Sequence, residues 1–276
     1  MSRDYLAELF DLHGKTAAIT GGGGILCGEL ARALGQAGAN VVVLDIFEEK
    51  ARDVAGQVAK DGGKALAVKC DVLDRTSIEQ AQRAAADAFG QVDILINGAG
   101  GNKKEATTGE LSFFDLPPEA IRWVFELNIL GTIMPCQVFG KSMAERGQGS
   151  ILNVSSMSAF QPLTRVSAYS AAKAAVSNFT AWLAVHMSQE YAKDIRVNAI
   201  APGFFLTEQN RFLLTDEKTG ELTARGQQII DHTPMGRFGE PKDLVGTALW
   251  LLSPSASFVH GTVIPIDGGF ASYSGV

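Results

Sequence analysis

Tyr169 and Lys173 stand four residues apart in Tyr169-Ser-Ala-Ala-Lys173, thirteen residues after Ser156 of the pair Ser155-Ser156. On a helix, positions i and i+4 share a face, so a phenol and an ammonium would lie side by side. A neighbouring cation favours the phenolate and pulls a tyrosine down from its ordinary pKa of about 10. Such a tyrosine exchanges protons near neutral pH, and a serine hydroxyl beside it can fix the oxygen that receives the proton. An exposed helix pair with no chemistry would show the same spacing, so the elements around it must decide.

The chain has 276 residues, 46% of them hydrophobic, which is enough for a large core and argues against disorder. Short apolar runs alternate with helical patterns. Strands are predicted at 16–20, 41–45, 65–69, 92–96, 150–154, 196–200 and 262–266. Helices are predicted near 28–37, 74–89, 118–145, 167–190 and 241–252. Several strands are apolar at nearly every residue, as in strands covered on both faces. The alternation predicts a parallel sheet with helices on both sides. With no linker or repeat, a single domain over 1–276 is expected. Two long loops, 101–118 and 203–233, leave from the carboxyl ends of strands, where doubly wound sheets bind ligands.

Thr20-Gly21-Gly22-Gly23-Gly24 follows the first strand and precedes a helix. Glycines there let the backbone approach a pyrophosphate, and a helix N-terminus supplies amide donors. A flexible turn is the competing reading. Asp45 closes the second strand about 20 residues on, where an acid binds the ribose hydroxyls of NAD and repels the 2′-phosphate of NADP. No basic residue is expected near Asp45 or in the glycine loop, so NAD is the expected cofactor.

Thr20-Gly21, Asn97-Gly98-Ala99-Gly100, Asn128, Ser156, Tyr169-x-x-x-Lys173 and Pro202-Gly203 occur in one order at one spacing. Together they resemble the short-chain dehydrogenase/reductase family, from Leu12 to Gly269. The resemblance implies a Rossmann-type, doubly wound sheet of seven parallel strands in a three-layer sandwich. It implies Asn128, Ser156, Tyr169 and Lys173 as catalytic residues, with Asn128 holding a water in a proton relay. It puts Gly21, Gly23, Gly24, Ile25, Leu26, Asp45, Asp71, Val72, Asn97, Ala99, Gly100, Tyr169, Lys173, Pro202, Gly203 and Thr207 around the cofactor. In that assignment Asp71 meets the adenine and Thr207 the carboxamide. One departure stands out: the family fingerprint Thr-Gly-x-x-x-Gly-x-Gly has Ile25 and Cys27 where its second and third glycines belong.

Thr20-Gly-Gly-Gly-Gly-Ile-Leu, Ser155-Ser-Met-Ser-Ala-Phe-Gln-Pro-Leu-Thr164, Thr233-Pro-Met-Gly-Arg-Phe-Gly239 and the ending after Gly268 are similar to the D-mannonate oxidoreductase (fructuronate reductase) branch. That branch implies a sugar-acid substrate; another polyol, gluconate or a 3-oxoacyl group, or a non-catalytic NAD-binding regulator, are the alternatives. A sugar acid needs a cation for its carboxylate, and arginine offers a bidentate fork. Arg165 and Arg211 are the candidates beside Ser156 and Tyr169, with Lys103 and Lys104 behind them. Asn102, Gln161 and Asn210 are candidates for sugar hydroxyls, although a polar loop surface explains them equally.

Net charge is −6 and no Lys/Arg run appears, so no nucleic-acid partner is expected. No stretch reads as a membrane span or signal peptide. Three distant cysteines fit reduced thiols in a cytoplasmic protein. His13, His186, His232 and His260 share no ligand spacing, and no metal is expected. Small apolar residues on more than one face of 167–188 suggest packing against a partner, and the family resemblance implies a homotetramer.

Overall fold

The computed structural model describes residues 3–206, 214–216 and 219–275. Seven strands form one sheet: β1 (Thr16–Thr20), β2 (Asn40–Asp45), β3 (Lys64–Lys69), β4 (Ile94–Asn97), β5 (Gln148–Val154), β6 (Asp194–Pro202) and β7 (Val263–Ile266). Their order is β3-β2-β1-β4-β5-β6-β7 and every pairing is parallel. The order reverses between β1 and β4, which opens a crevice beyond their carboxyl ends. Thr20 pairs with both Leu44 and Asn97 at that seam.

The central strands are buried along their whole length, which explains their unbroken apolar runs. On one face, α2 (Ile25–Gln36), α3 (Glu48–Lys60) and α9 (Val245–Leu252) pack Leu30, Leu34, Val58 and Leu251 against Ile19, Val43 and Ile96. On the other, α4 (Arg75–Phe89), α6 (Gly131–Arg146) and α7 (Ser167–Glu190) pack Ile78, Phe139, Met143 and Met187 against Val42, Leu95 and Ile151. Three layers result. Each fully buried aliphatic side chain stabilises them by about 1.5–3 kcal/mol. The remaining described helices are α1 (Arg3–Leu9), α5 (Pro118–Phe125) and α8 (Ala224–Asp231).

Several elements differ from expectation. α3 was not predicted: its apolar positions, Ala51, Val54 and Val58, are few among charged neighbours. α2 begins at Ile25, directly behind Gly24, rather than near residue 28. The long helix predicted over 118–145 is interrupted by a π-turn at Glu126–Leu130. There two side chains bond back to carbonyls four residues earlier, Asn128 Nδ2 to Val124 at 2.8 Å and Thr132 Oγ1 to Asn128 at 2.8 Å. Gly131 follows because a Cβ there would meet Val72 Cγ2 at 2.9 Å. Finally, the 203–233 excursion is not all loop: it carries α8 and a bridge between Thr215 and Leu222.

Candidate active site

β5 delivers Val154, Ser155 and Ser156 to the carboxyl edge of the sheet, and a 3-10 turn over Met157–Ala159 bends the chain away. Ser156 Oγ accepts from the Ser158 amide at 3.2 Å and from the Ser158 hydroxyl at 3.1 Å. α7 then returns across the same edge with Tyr169 and Lys173 on one side. The Lys173 ammonium lies 5.7 Å from the centre of the Tyr169 ring and donates to the Val154 carbonyl at 2.8 Å. Ser155 fixes that part of α7 by donating to the Lys173 carbonyl at 3.0 Å, and it also lies 2.7 Å from the Ser177 hydroxyl.

Burial pushes Lys173 down to about 8. Burial also holds the Tyr169 phenol above its ordinary range, while the neighbouring Ser156 hydroxyl works the other way. This corrects the expectation that Lys173 depresses Tyr169. The ammonium is directed into the Val154 carbonyl, and burial of the phenol is the largest influence on it.

The π-turn aims Asn128 at the first residues of the long 101–118 loop. Its Nδ2 donates to Gly101 O at 2.7 Å, and its Oδ1 accepts from Gly101 N at 3.2 Å. Gly100 crosses directly over this point. A Cβ on it would fall 2.7 Å from Asn128 Oδ1 and 3.1 Å from Lys173 Nζ. Only a glycine fits against both the asparagine oxygen and the lysine head here.

At the seam between β1 and β4, Gly21 adopts φ 61°, and a Cβ there would strike Ala99 N at 2.8 Å. Thr20 Oγ1 accepts from Gly98 N and Ala99 N at 3.1 and 3.2 Å, tying the two turns together. Gly24 caps α2 without a side-chain partner, and the first turn of α2 carries no acid. Ile25 is exposed beside it and Leu26 partly buried. Asp45 Oδ2 accepts from Gly23 N at 3.0 Å and Oδ1 from Phe47 N at 3.0 Å. Bare glycines, an open helix N-terminus and an acid at the end of β2 fit the diphosphate and ribose of a dinucleotide.

Lys50, in the first turn of α3, corrects the expectation of no base near Asp45. A Cβ on Gly23 would meet both Asp45 Oδ2, at 2.9 Å, and Lys50 Cβ, at 2.6 Å. Its ammonium rests 5.0 Å over the Phe47 ring.

Asp71 and Val72 follow β3, with Asp71 Oδ1 accepting from Leu73 N at 2.9 Å. Asn97 turns its side chain inward: Nδ2 donates to Asn153 Oδ1 at 2.9 Å and contacts Cys136 Sγ at 3.1 Å. Its backbone, not its amide, borders the crevice. Cys27, at the family's third-glycine position, fills the space over Gly98, where a Cβ would collide with its sulfur. Burial pushes that thiol up to about 12.

On the remaining side, Pro202 ends β6, and Gly203 packs so closely on Asp267 that a Cβ would lie 2.6 Å from its Cα. Arg165 is exposed just before α7 in the left-handed region, φ 72°, its carbonyl accepting from Thr108 N at 3.0 Å. Thr207, Asn210 and Arg211 lie outside the described residues. Lys104 pairs with Glu110 at 2.7 Å, and Lys103 rests 5.7 Å over Trp123. Arg225, in the first turn of α8, did not stand out in the sequence, because α8 was read as loop.

His260 Nδ1 accepts from Val197 N at 3.1 Å, a structural role, and His186 stacks on Trp182 at 4.7 Å. Among the described residues no group of three or more His, Cys, Asp or Glu could hold a metal, and no helix is long and apolar enough to cross a membrane.

A family model described as enoyl-(acyl carrier protein) reductase matches residues 26–271. An uncharacterised oxidoreductase of Bacillus subtilis (strain 168), UxuB, is 49% identical, with 96% of this chain and 98% of the relative aligned. A solved structure from Haemophilus influenza, provisionally named a D-mannonate oxidoreductase and holding NAD, is 47% identical with a TM-score of 0.91. That alignment covers 98% of this chain and 100% of the other. A gluconate 5-dehydrogenase from Burkholderia cenocepacia J2315, in complex with NADP and tartrate, is 30% identical with a TM-score of 0.86, covering 97% and 99%.

Proposed function

The chain belongs to the short-chain dehydrogenase/reductase family and is an NAD(P)-dependent oxidoreductase of alcohol and ketone groups, and on that premise we propose that it uses NAD to oxidise a secondary alcohol of a sugar acid, reversibly. D-mannonate and D-fructuronate are the substrate pair we favour. The observation that carries the chemistry is the meeting of Ser156, Tyr169 and Lys173 beside Gly100 and Asn128.

Gly21, Gly23, Gly24, Ile25 and Leu26 would receive the diphosphate, and Asp45 the adenosine ribose. Asp71, Val72, Asn97, Ala99, Gly100, Pro202, Gly203 and Thr207 would line the rest of the groove. When bound, the nicotinamide takes or supplies the hydride. Tyr169 gives its phenolic proton to the carbonyl oxygen in reduction and takes it back in oxidation. Ser156 donates to that same oxygen and stabilises charge as it develops. Lys173, buried and held near 8, steadies the ribose and passes the proton onward. Asn128, in the π-turn, would hold the water that links Lys173 to solvent.

The NAD preference is supported by Asp45 and by the NAD held in the Haemophilus relative; the NADP of the Burkholderia relative is the counterweight. The proposal includes a cytoplasmic homotetramer. In its support, Phe179, Trp182 and His186 stack along α7, and Trp182 and Val185 are each 55% exposed.

The test is oxidation of D-mannonate, D-gluconate, polyols and hydroxyacyl thioesters with NAD and NADP, alongside Tyr169→Phe. We expect D-mannonate with NAD to give the highest kcat/KM. We expect Tyr169→Phe to lose on the order of a hundredfold or more in turnover while still binding NADH. A higher kcat/KM for gluconate moves the substrate to the runner-up reading. Near-normal turnover in the phenylalanine variant removes Tyr169 from the mechanism.

A further inference from the structure

α8 docks on the segment that joins Ser156 to Tyr169. Its Ile229 packs with Met157, Leu214 and Phe270, and Leu163 lies against the same cluster. Gly226 is pressed on the Leu214 carbonyl so closely that no side chain would fit there, which fixes the first turn of the helix. Arg225 is in that turn, and Arg165 is on the segment beneath. Burial first, and then the nearby Arg165 charge, hold Arg225 below the usual guanidinium range.

Arg225 stands one turn before Ile229, on the face of α8 that packs over this segment, so its charge and that of Arg165 repel. Arg32, Arg52, Arg75, Arg146 and Arg237 each pair with a carboxylate. Arg196 donates to the carbonyls of Leu251 and Ser253 instead, and among the described residues Arg83, Arg122, Arg165 and Arg225 have no carboxylate partner; of these four only Arg225 sits on the helix docked over the Ser156–Tyr169 segment that carries Arg165. Arg225 also stands in the first turn of a helix with no acid there, where the dipole favours negative charge. On the same segment as Arg165, the side-chain oxygen of Gln161 is shielded from solvent and accepts no hydrogen bond among the described residues. An anion bearing hydroxyl groups would satisfy all three.

We propose that Arg165 and Arg225 jointly clamp the carboxylate of the substrate, with Gln161 accepting from one of its hydroxyls, so that Arg225 selects acids over neutral polyols. This rests on the sugar-acid reading above. Two guanidinium forks offer a carboxylate paired, directional hydrogen bonds that a lysine cannot reproduce. The clamp lies on the chain between the serine and the tyrosine, so it sets the distance from the carboxylate to the carbon that reacts.

The test separates binding from turnover. Wild-type protein saturated with NADH is titrated calorimetrically with D-mannonate and, separately, with D-mannonamide, its uncharged counterpart. The acid should bind on the order of 10- to 100-fold more tightly. Arg165→Gln and Arg225→Gln should each erase most of that preference, and Arg225→Lys should restore part of it. Equal binding of acid and amide, or an undiminished preference in Arg225→Gln, overturns the clamp. A preserved preference without D-mannonate turnover sinks the substrate assignment and leaves the clamp standing.

Discussion

Asn128 holds Gly101 from both sides, donating to its carbonyl at 2.7 Å and accepting from its amide at 3.2 Å. One side chain thus sutures the π-turn to the start of the 101–118 loop. Its own carbonyl accepts from Thr132 Oγ1 at 2.8 Å, so the same residue also ties the π-turn to the next turn of the helix. Asn128→Ala would strand both Gly101 groups, and a partly buried polar group without a partner costs about 1–3 kcal/mol. Urea unfolding should show a loss of that size, and KM for the acid should rise more than KM for NAD. An unchanged unfolding midpoint would mean that water replaces the amide at no cost.

Asp45 and Lys50 flank Gly23, one able to repel a 2′-phosphate and the other able to attract it. Asp45→Ala should therefore raise the NADP/NAD ratio of kcat/KM by roughly tenfold, the worth of one charge-assisted contact. Adding Lys50→Ala should take back most of that gain. If the single variant loses NAD use without gaining NADP use, Lys50 does not reach the phosphate.

Lys173 is 4% exposed, and its folded pKa of about 8 lies below its unfolded value. Below about 8 the ammonium is charged in both states, and burying it destabilises the fold in full. As pH rises from about 8 through the unfolded value near 10.5, the unfolded chain binds more protons and that cost disappears. Lys173→Met should accordingly be stabilised relative to wild type at pH 7, by an amount on the order of 3 kcal/mol larger than at pH 11. Chemical unfolding of both proteins without cofactor at the two pH values checks this. A pH-independent difference would show that Lys173 does not titrate in that window.

The strands were largely legible because burial on both faces writes itself as uninterrupted apolar runs; β1 was found to the residue. The Tyr169–Lys173 adjacency was legible because helical spacing is rigid. What Lys173 does to Tyr169 was not, since spacing says nothing of desolvation or of the Val154 carbonyl that takes the ammonium. Missing α3 had a direct cost: with 48–60 unassigned, nothing could bring Lys50 to Gly23. Arg225 escaped for the same reason, on a helix of only two turns read as loop. The resemblance that places Asn97 at the crevice wall says nothing of its side chain, which donates to Asn153 inside the sheet. The π-turn has no signature in composition; it follows from Asn128 and Thr132 bonding back along their own helix.

The pairing of β1 with β4 has a consequence for how the protein becomes active. Thr20 and Asn97 meet in register, yet 76 residues and two whole strands separate them in the chain. Closing so long a stretch costs entropy before any contact rewards it. The sheet can grow as β1-β2-β3 during synthesis, but the turn at Gly21 has no Ala99 to lean on until β4 arrives. The catalytic serine comes later still, on β5. Cofactor affinity is therefore a late event in folding, and a chain truncated after α3 would present the glycine loop with no opposite wall.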